Sequence, residues 1–191
     1  MSWTKIPGAE LQRLHERLEL PQQSTSLEAS TFRTPFYQNG ELVRMHDGTG
    51  AMFMVAAGQG ELSARQYYPL NGASADIHAA NEAAGLVITR DNASDYVRFF
   101  TTFLRMEDGE PFVIVESLSG YRLVNKDRSD QRKPDDMRFV CMDDTADGDA
   151  FAFKGYMAYQ GVLFGVSMRV HKNGAVEMVE DDPMGYIVRL H

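Results

Sequence analysis

The chain has 191 residues, of which 43% are hydrophobic and 24% are charged, and its formal net charge is -8. The composition is ordinary for a globular protein and excludes a disordered or fibrous chain. The negative charge disfavours binding to nucleic-acid phosphates and to anionic membranes. A single cysteine excludes an internal disulfide, and no apolar run approaches the length of a membrane span. We therefore expect a soluble, cytoplasmic, bacterial protein that binds neither nucleic acid nor membrane.

The N-terminal part of the chain predicts one amphipathic helix. Residues 8–20 place charged residues on one side and leucines at helical spacing on the other: Leu11, Leu14 and Leu18. Residues 22–34 are polar and lack apolar periodicity, so we interpret them as a loop or a lightly packed linker. The predicted organisation is a helix and linker over residues 1–34, followed by an α+β domain over residues 35–191.

Two regions of that domain predict antiparallel strands. Residues 35–70 alternate strand-like runs with turn signals, among which Asn39-Gly40 is typical of a tight hairpin. The last third of the chain repeats the pattern, with hairpin turns predicted at Gln160-Gly161 and at residues 172–174. The Ala-rich stretch between, residues 71–85, predicts a loop or one short helix.

The central segment, residues 89–116, predicts a helix followed by a strand. Short polar residues at 91–95 are typical of a helix start, and aromatic side chains then recur at spacings of three and four: Tyr96, Phe99, Phe100 and Phe103. Gly109 and Pro111 end the helix, and residues 112–115 predict a short strand buried on both sides. This spacing favours a core helix over a cofactor-binding stripe or a partner groove.

Strands in runs with two isolated helices predict an α+β fold that is predominantly antiparallel sheet, either a meander or a partly closed barrel. The helices are the N-terminal helix and the central Phe-rich helix. A division of the α+β domain into two sub-domains, residues 35–116 and 117–191, is left open.

Three polar residues are candidates for catalysis: His78, Asp76 and Glu116. If residue 78 begins a helical turn, Glu82 lies on the same face and could orient the imidazole, or complete a metal site with Asp76. Glu116 closes the predicted strand, where the rim of a cavity would raise its pKa and suit a general base. The alternatives are an exposed histidine or one whose ring bonds a backbone carbonyl, and a glutamate that simply reaches solvent.

Four tyrosines on or beside predicted strands are candidates for a ligand pocket, because each joins an apolar ring to a polar hydroxyl: Tyr67, Tyr68, Tyr156 and Tyr159. Tyrosines also fill ordinary cores. The preferred function is a module without catalysis, cofactor or metal that binds a small apolar or amphipathic ligand or a protein partner. It predicts an apolar cavity or patch without clustered titratable groups. A small hydrolase or isomerase using His78 with Asp76 or Glu116 is the alternative, and a homodimer is left open.

Overall fold

The computed structural model describes residues 2–18, 28–46, 50–124, 137–144 and 148–189. By its contacts the chain divides into two compact units, residues 1–87 and residues 88–191. The structure is 44% strand and 22% helix. The strands form two antiparallel sheets, one of them curled into a half-barrel, which confirms the predicted α+β class. None of the helices that the structure describes has the length and apolar character needed to cross a lipid bilayer.

The first unit is built on a five-stranded antiparallel sheet, in which the strands lie side by side in chain order. Its described elements are β1 (Thr4–Lys5), α1 (Gly8–Arg17), β2 (Glu28–Phe32), β3 (Gly40–His46), β4 (Ala51–Ala57), β5 (Gln66–Pro69) and α2 (Ser74–Ala84). The predicted N-terminal helix is α1, and α2 corresponds to the short helix that was one of two alternatives for residues 71–85.

The two α-helices that the structure describes in this unit lie on opposite faces of its sheet. Val43 and Met45 of β3 belong to the same buried cluster as Leu14 of α1. Gly40 lies three residues before Val43 and therefore on the other face, since successive strand residues alternate. A Cβ at Gly40 would lie 2.5 Å from the Cβ of Ala84 in α2, so glycine permits this close approach.

Two local predictions in this unit are wrong. Part of the predicted linker forms a strand, because residues 28–32 pair with both β1 and β3. Asn39-Gly40 does not make a tight hairpin turn. The Asn39 N–H instead donates to the Ala84 carbonyl at 2.9 Å, and the Asn39 carbonyl accepts the Gly58 N–H at 2.7 Å. Asn39 thus joins the end of α2 to the end of β4.

The described part of the second unit contains one helix and a sheet in the order β6-β9-β10-β11-β7, with β8 also paired to β9. Its described elements are α3 (Ala93–Phe103), β6 (Val113–Ile114), β7 (Tyr121–Val124), β8 (Val140–Asp144), β9 (Ala150–Tyr159), β10 (Val162–His171) and β11 (Val176–Arg189). All pairings are antiparallel. The predicted hairpin at Gln160-Gly161 is confirmed, and both residues have the positive φ of a type I′ turn, 48° and 75°.

The aromatic stripe of α3 is buried, as expected for a core helix: Tyr96, Phe99, Phe100 and Phe103. The Tyr96 hydroxyl donates to the Gly174 carbonyl at 2.8 Å, which anchors α3 to the turn between β10 and β11. The strand predicted over residues 112–115 is shorter and less buried than expected. It is the two-residue β6 at the sheet edge, where Val113 is 52% exposed.

The predicted domain division has residues 1–34 as helix and linker and leaves open two sub-domains, 35–116 and 117–191. It stays a prediction.

Candidate functional site

The catalytic candidates lie in different units. Asp76 and His78 belong to α2, at positions two apart that do not face each other on a helix. His78 is exposed. Glu82, one turn after His78, lines an open cleft in the first unit. Glu116 follows β6 in the second unit. Their catalytic roles stay hypotheses.

Glu116 forms an ion pair with α3. Arg98 Nη2 donates to Glu116 Oε1 at 2.7 Å. That hydrogen bond is the main cause that lowers the pKa of Glu116, and it outweighs the opposing effect of partial burial. The expected raised pKa is therefore wrong. A carboxylate with a lowered pKa is also a weaker base.

Two of the four candidate tyrosines make specific hydrogen bonds away from the clefts. The Tyr67 hydroxyl donates to the Leu62 carbonyl at 2.7 Å, and its ring packs against the core beneath α1. The Tyr159 hydroxyl donates to Asp108 Oδ2 at 2.6 Å, and its ring stacks on Phe112. The other two, Tyr68 and Tyr156, each line an open cleft.

Burial makes Tyr67 a source of alkaline instability. It raises the pKa of Tyr67 from 10.0 to about 12, so above pH 10 the hydroxyl ionises in the unfolded chain before it ionises in the folded one. Its contribution to stability should be complete below pH 10 and lost as the pH rises towards 12. Urea unfolding at successive pH values should show this fall, and it should be smaller in Tyr67→Phe. Tyr121→Phe, at an exposed position, should leave the fall unchanged; an equal effect of both substitutions would contradict the assignment.

The cleft of the first unit lies between β4, β5 and α2 and has a volume of about 490 Å³. Most of its walls are small side chains, with three polar ones among them: Ala57, Gly58, Gln66, Tyr68, Ala79, Glu82 and Ala83. Alanine offers little apolar area to a ligand, and Glu82 is the one charged residue among those lining residues. The cleft therefore supplies few specific contacts.

The second unit has a groove of about 420 Å³ across one face of its sheet. We call it the sheet groove. Its lining residues come from β9, β10 and β11, with others from β8 and the residue two before it: Arg138, Val140, Met142, Lys154, Gly155, Tyr156, Gly165, Val166, Ser167, Glu180 and Asp182.

Strand register places the polar side chains of the groove in two rows. Lys154, Ser167 and Glu180 are direct neighbours across β9, β10 and β11. The next row on the same face is Tyr156, Gly165 and Asp182. Neighbouring strands lie about 4.8 Å apart, so Lys154 and Glu180 are separated by about 10 Å along their row.

Gly165 deepens the groove because its row has no side chain at the centre. A Cβ there would meet Met184 Sδ at 3.8 Å and Tyr156 Cε1 at 3.9 Å, which is ordinary contact. Alanine would therefore fit, whereas a longer side chain would project into the recess. Tyr156 and Met184 also pack on the buried cluster around Leu163, which supports this end of the groove.

The groove carries charge of both signs. The basic residues Arg138 and Lys154 lie towards β8 and β9, and the acidic residues Glu180 and Asp182 lie on β11. Among the described residues Lys154 has no ion pair, and Glu180 accepts a hydrogen bond from Ser167 Oγ at 3.3 Å. The expectation of a binding surface without clustered titratable groups is therefore wrong for this groove.

Within the described part of the chain, no group of three or more His, Cys, Asp and Glu side chains is placed to hold a metal ion. No protein-family model matches this chain, and no curated protein or solved structure is significantly similar to it. By its fold and its sheet groove, the protein is an α+β protein with an open, charged groove on an antiparallel sheet. Function has to be inferred from that groove.

Proposed function

We propose that this protein binds a small amphipathic ligand in the sheet groove and does not catalyse its conversion. The observation that carries the proposal is the joint presence of exposed apolar side chains and charges in one groove on the sheet. Val140 and Met142 are 40% and 43% exposed and lie beside Lys154 and Tyr156. The volume of about 420 Å³ falls in the range of small-molecule sites, roughly 300–1,000 Å³.

The floor of the groove favours binding over acyl-transfer catalysis. Both β9 and β10 are paired on each side, so the backbone N–H groups of these two strands serve the sheet. They are not available to stabilise an oxyanion. Ser167, the hydroxyl nearest the charges, donates to a carboxylate and has no histidine beside it in the groove lining.

The alternative, a hydrolase or isomerase using His78 with Asp76 or Glu116, has no comparable support. Glu116 is engaged by Arg98, and its pKa is lowered. The cleft on α2 is lined by Glu82 and not by Asp76 or His78. A protein partner and a homodimer stay predictions.

Fluorescence titration with the amphipathic anion anilinonaphthalene sulfonate tests the proposal. The wild-type protein should bind one molecule saturably, with the ring system on Met142 and the sulfonate near Lys154. Met142→Ser should weaken binding about tenfold, since partial loss of a buried Met side chain is worth about 1.4 kcal/mol.

Two matched variants serve as controls. Met178→Ser removes a comparably exposed methionine that pairs with Met168 on the opposite face of the sheet, and it should leave binding unchanged. Gly165→Leu should fill the recess and abolish binding, whereas Gly165→Ala should retain it. Absence of saturable binding to the wild-type protein, or equal losses in the two methionine variants, would contradict the proposal.

A further inference from the structure

The groove holds its basic and its acidic side chains at opposite ends. The two bases lie at the β8 and β9 side, the two acids lie on β11, and uncharged Ser167 and Gly165 of β10 stand between. Lys154 and Glu180 form no ion pair with each other, and Lys154 has none with any residue that the structure describes. The groove thus offers a basic end and an acidic end to one ligand.

The dimensions of the groove indicate the length of that ligand. Two strand spacings separate Lys154 from Glu180, or about 10 Å. An extended peptide spans at most about 3.3–3.6 Å per residue, so two to four residues bring its termini to the two ends. A free amino acid is too short to reach both.

Resting on the proposed function, we infer that the ligand is a short zwitterionic peptide of about three residues that lies across the strands. Its terminal carboxylate is bound by Lys154, and its terminal ammonium is bound by Glu180 and Asp182. Charge-assisted hydrogen bonds of this kind are stronger than neutral ones and fix the direction of the ligand.

The apolar residues add a side-chain preference. Val140 and Met142 lie on β8, next to the basic end. The carboxyl-terminal residue of the ligand would contact them, so an apolar side chain is favoured at that position. The recess over Gly165, between Tyr156 and Met184, receives the middle of the peptide.

Calorimetric titration with alanyl-alanyl-leucine, compared with its amino-acetylated and carboxy-amidated forms, tests this inference. We expect the free peptide to bind, and either modification to weaken binding about tenfold by removing one charge contact. Lys154→Gln should weaken the free peptide about tenfold and leave the affinity for the amidated form unchanged. Glu180→Gln should weaken the free peptide about tenfold and leave the affinity for the acetylated form unchanged.

Asp182→Asn provides a second test of the acidic end, because Glu180 also accepts the Ser167 hydrogen bond. All three substituted side chains are exposed, and thermal unfolding midpoints establish that each variant is folded. If the modified peptides bind as tightly as the free one, or the free peptide does not bind while the anilinonaphthalene probe does, the inference is overturned and the proposed function stands. If neither the peptide nor the probe binds, both fail.

Discussion

Replacing Phe153 by alanine is expected to lower the free energy of unfolding of the second unit by about 3–5 kcal/mol. Phe153 lies in the middle of β9 and is 1% exposed. Its ring stacks on Phe139 with 5.2 Å between centroids and 11° between planes. Alanine would leave a cavity lined by Phe139 and by the cross-strand neighbour Met168, and a β-sheet held by ladder hydrogen bonds relaxes little around it.

Urea unfolding followed by far-ultraviolet circular dichroism measures this loss. Domains of this size are stable by only about 5–15 kcal/mol, so the midpoint should fall far enough to measure easily. Tyr121→Ala is the control, because that aromatic residue belongs to the same sheet but is 44% exposed. It should change stability by no more than about 0.5 kcal/mol. Similar losses in the two variants would mean that Phe153 is not part of a tightly packed core.

Gly40→Ala is expected to destabilise the first unit by about 1–3 kcal/mol, because the new Cβ would lie 2.5 Å from the Cβ of Ala84. The contact joins β3 to α2, and the Ala84 backbone is only 3.5 Å from the same point. Relief therefore requires the helix to move from the sheet.

Ala84→Gly should rescue this variant in part. It removes the atom that clashes but costs up to about 1 kcal/mol in helix propensity by itself. The two substitutions should therefore be less destabilising together than their sum, with a coupling energy of about 1 kcal/mol or more. The fluorescence of Trp3, the single tryptophan, reports unfolding of this unit. Gly50→Ala, where no atom of the described residues lies within 4 Å of the new Cβ, is the control. Additive losses would contradict the proposed contact.

The elements predicted best from the sequence are those determined by residues close together in the chain. Helix α3 has its apolar stripe and polar start within one short stretch, and the Gln160-Gly161 turn fixes its own hairpin. Strand β2 escaped prediction because Ser30 and Thr31 interrupt any apolar alternation. It is held by backbone pairing to β3. The pattern of residues within β2 does not indicate that pairing.

The candidate site was harder to predict for a related reason. Lys154, Gly165 and Asp182 come together only through the register of three strands, and a shift of one residue would send them to the other face. The alternation within β10 was visible in the sequence, but the pairing between strands was not. Tyr156 and Tyr68 were among the candidate pocket residues, whereas the charged residues of the groove were not. Nor could the sequence show that Arg98 would contact Glu116.

The hydrogen bond from Tyr96 to Gly174 has a consequence for biosynthesis. It joins residues 78 positions apart, so α3 leaves the ribosome well before the turn to which it is anchored. At about 5–20 residues per second, the interval is roughly 4–16 s. During that time the aromatic side of the nascent helix lacks its final partner and stays open to non-native apolar contacts. Completion of the last hairpin ends that exposure.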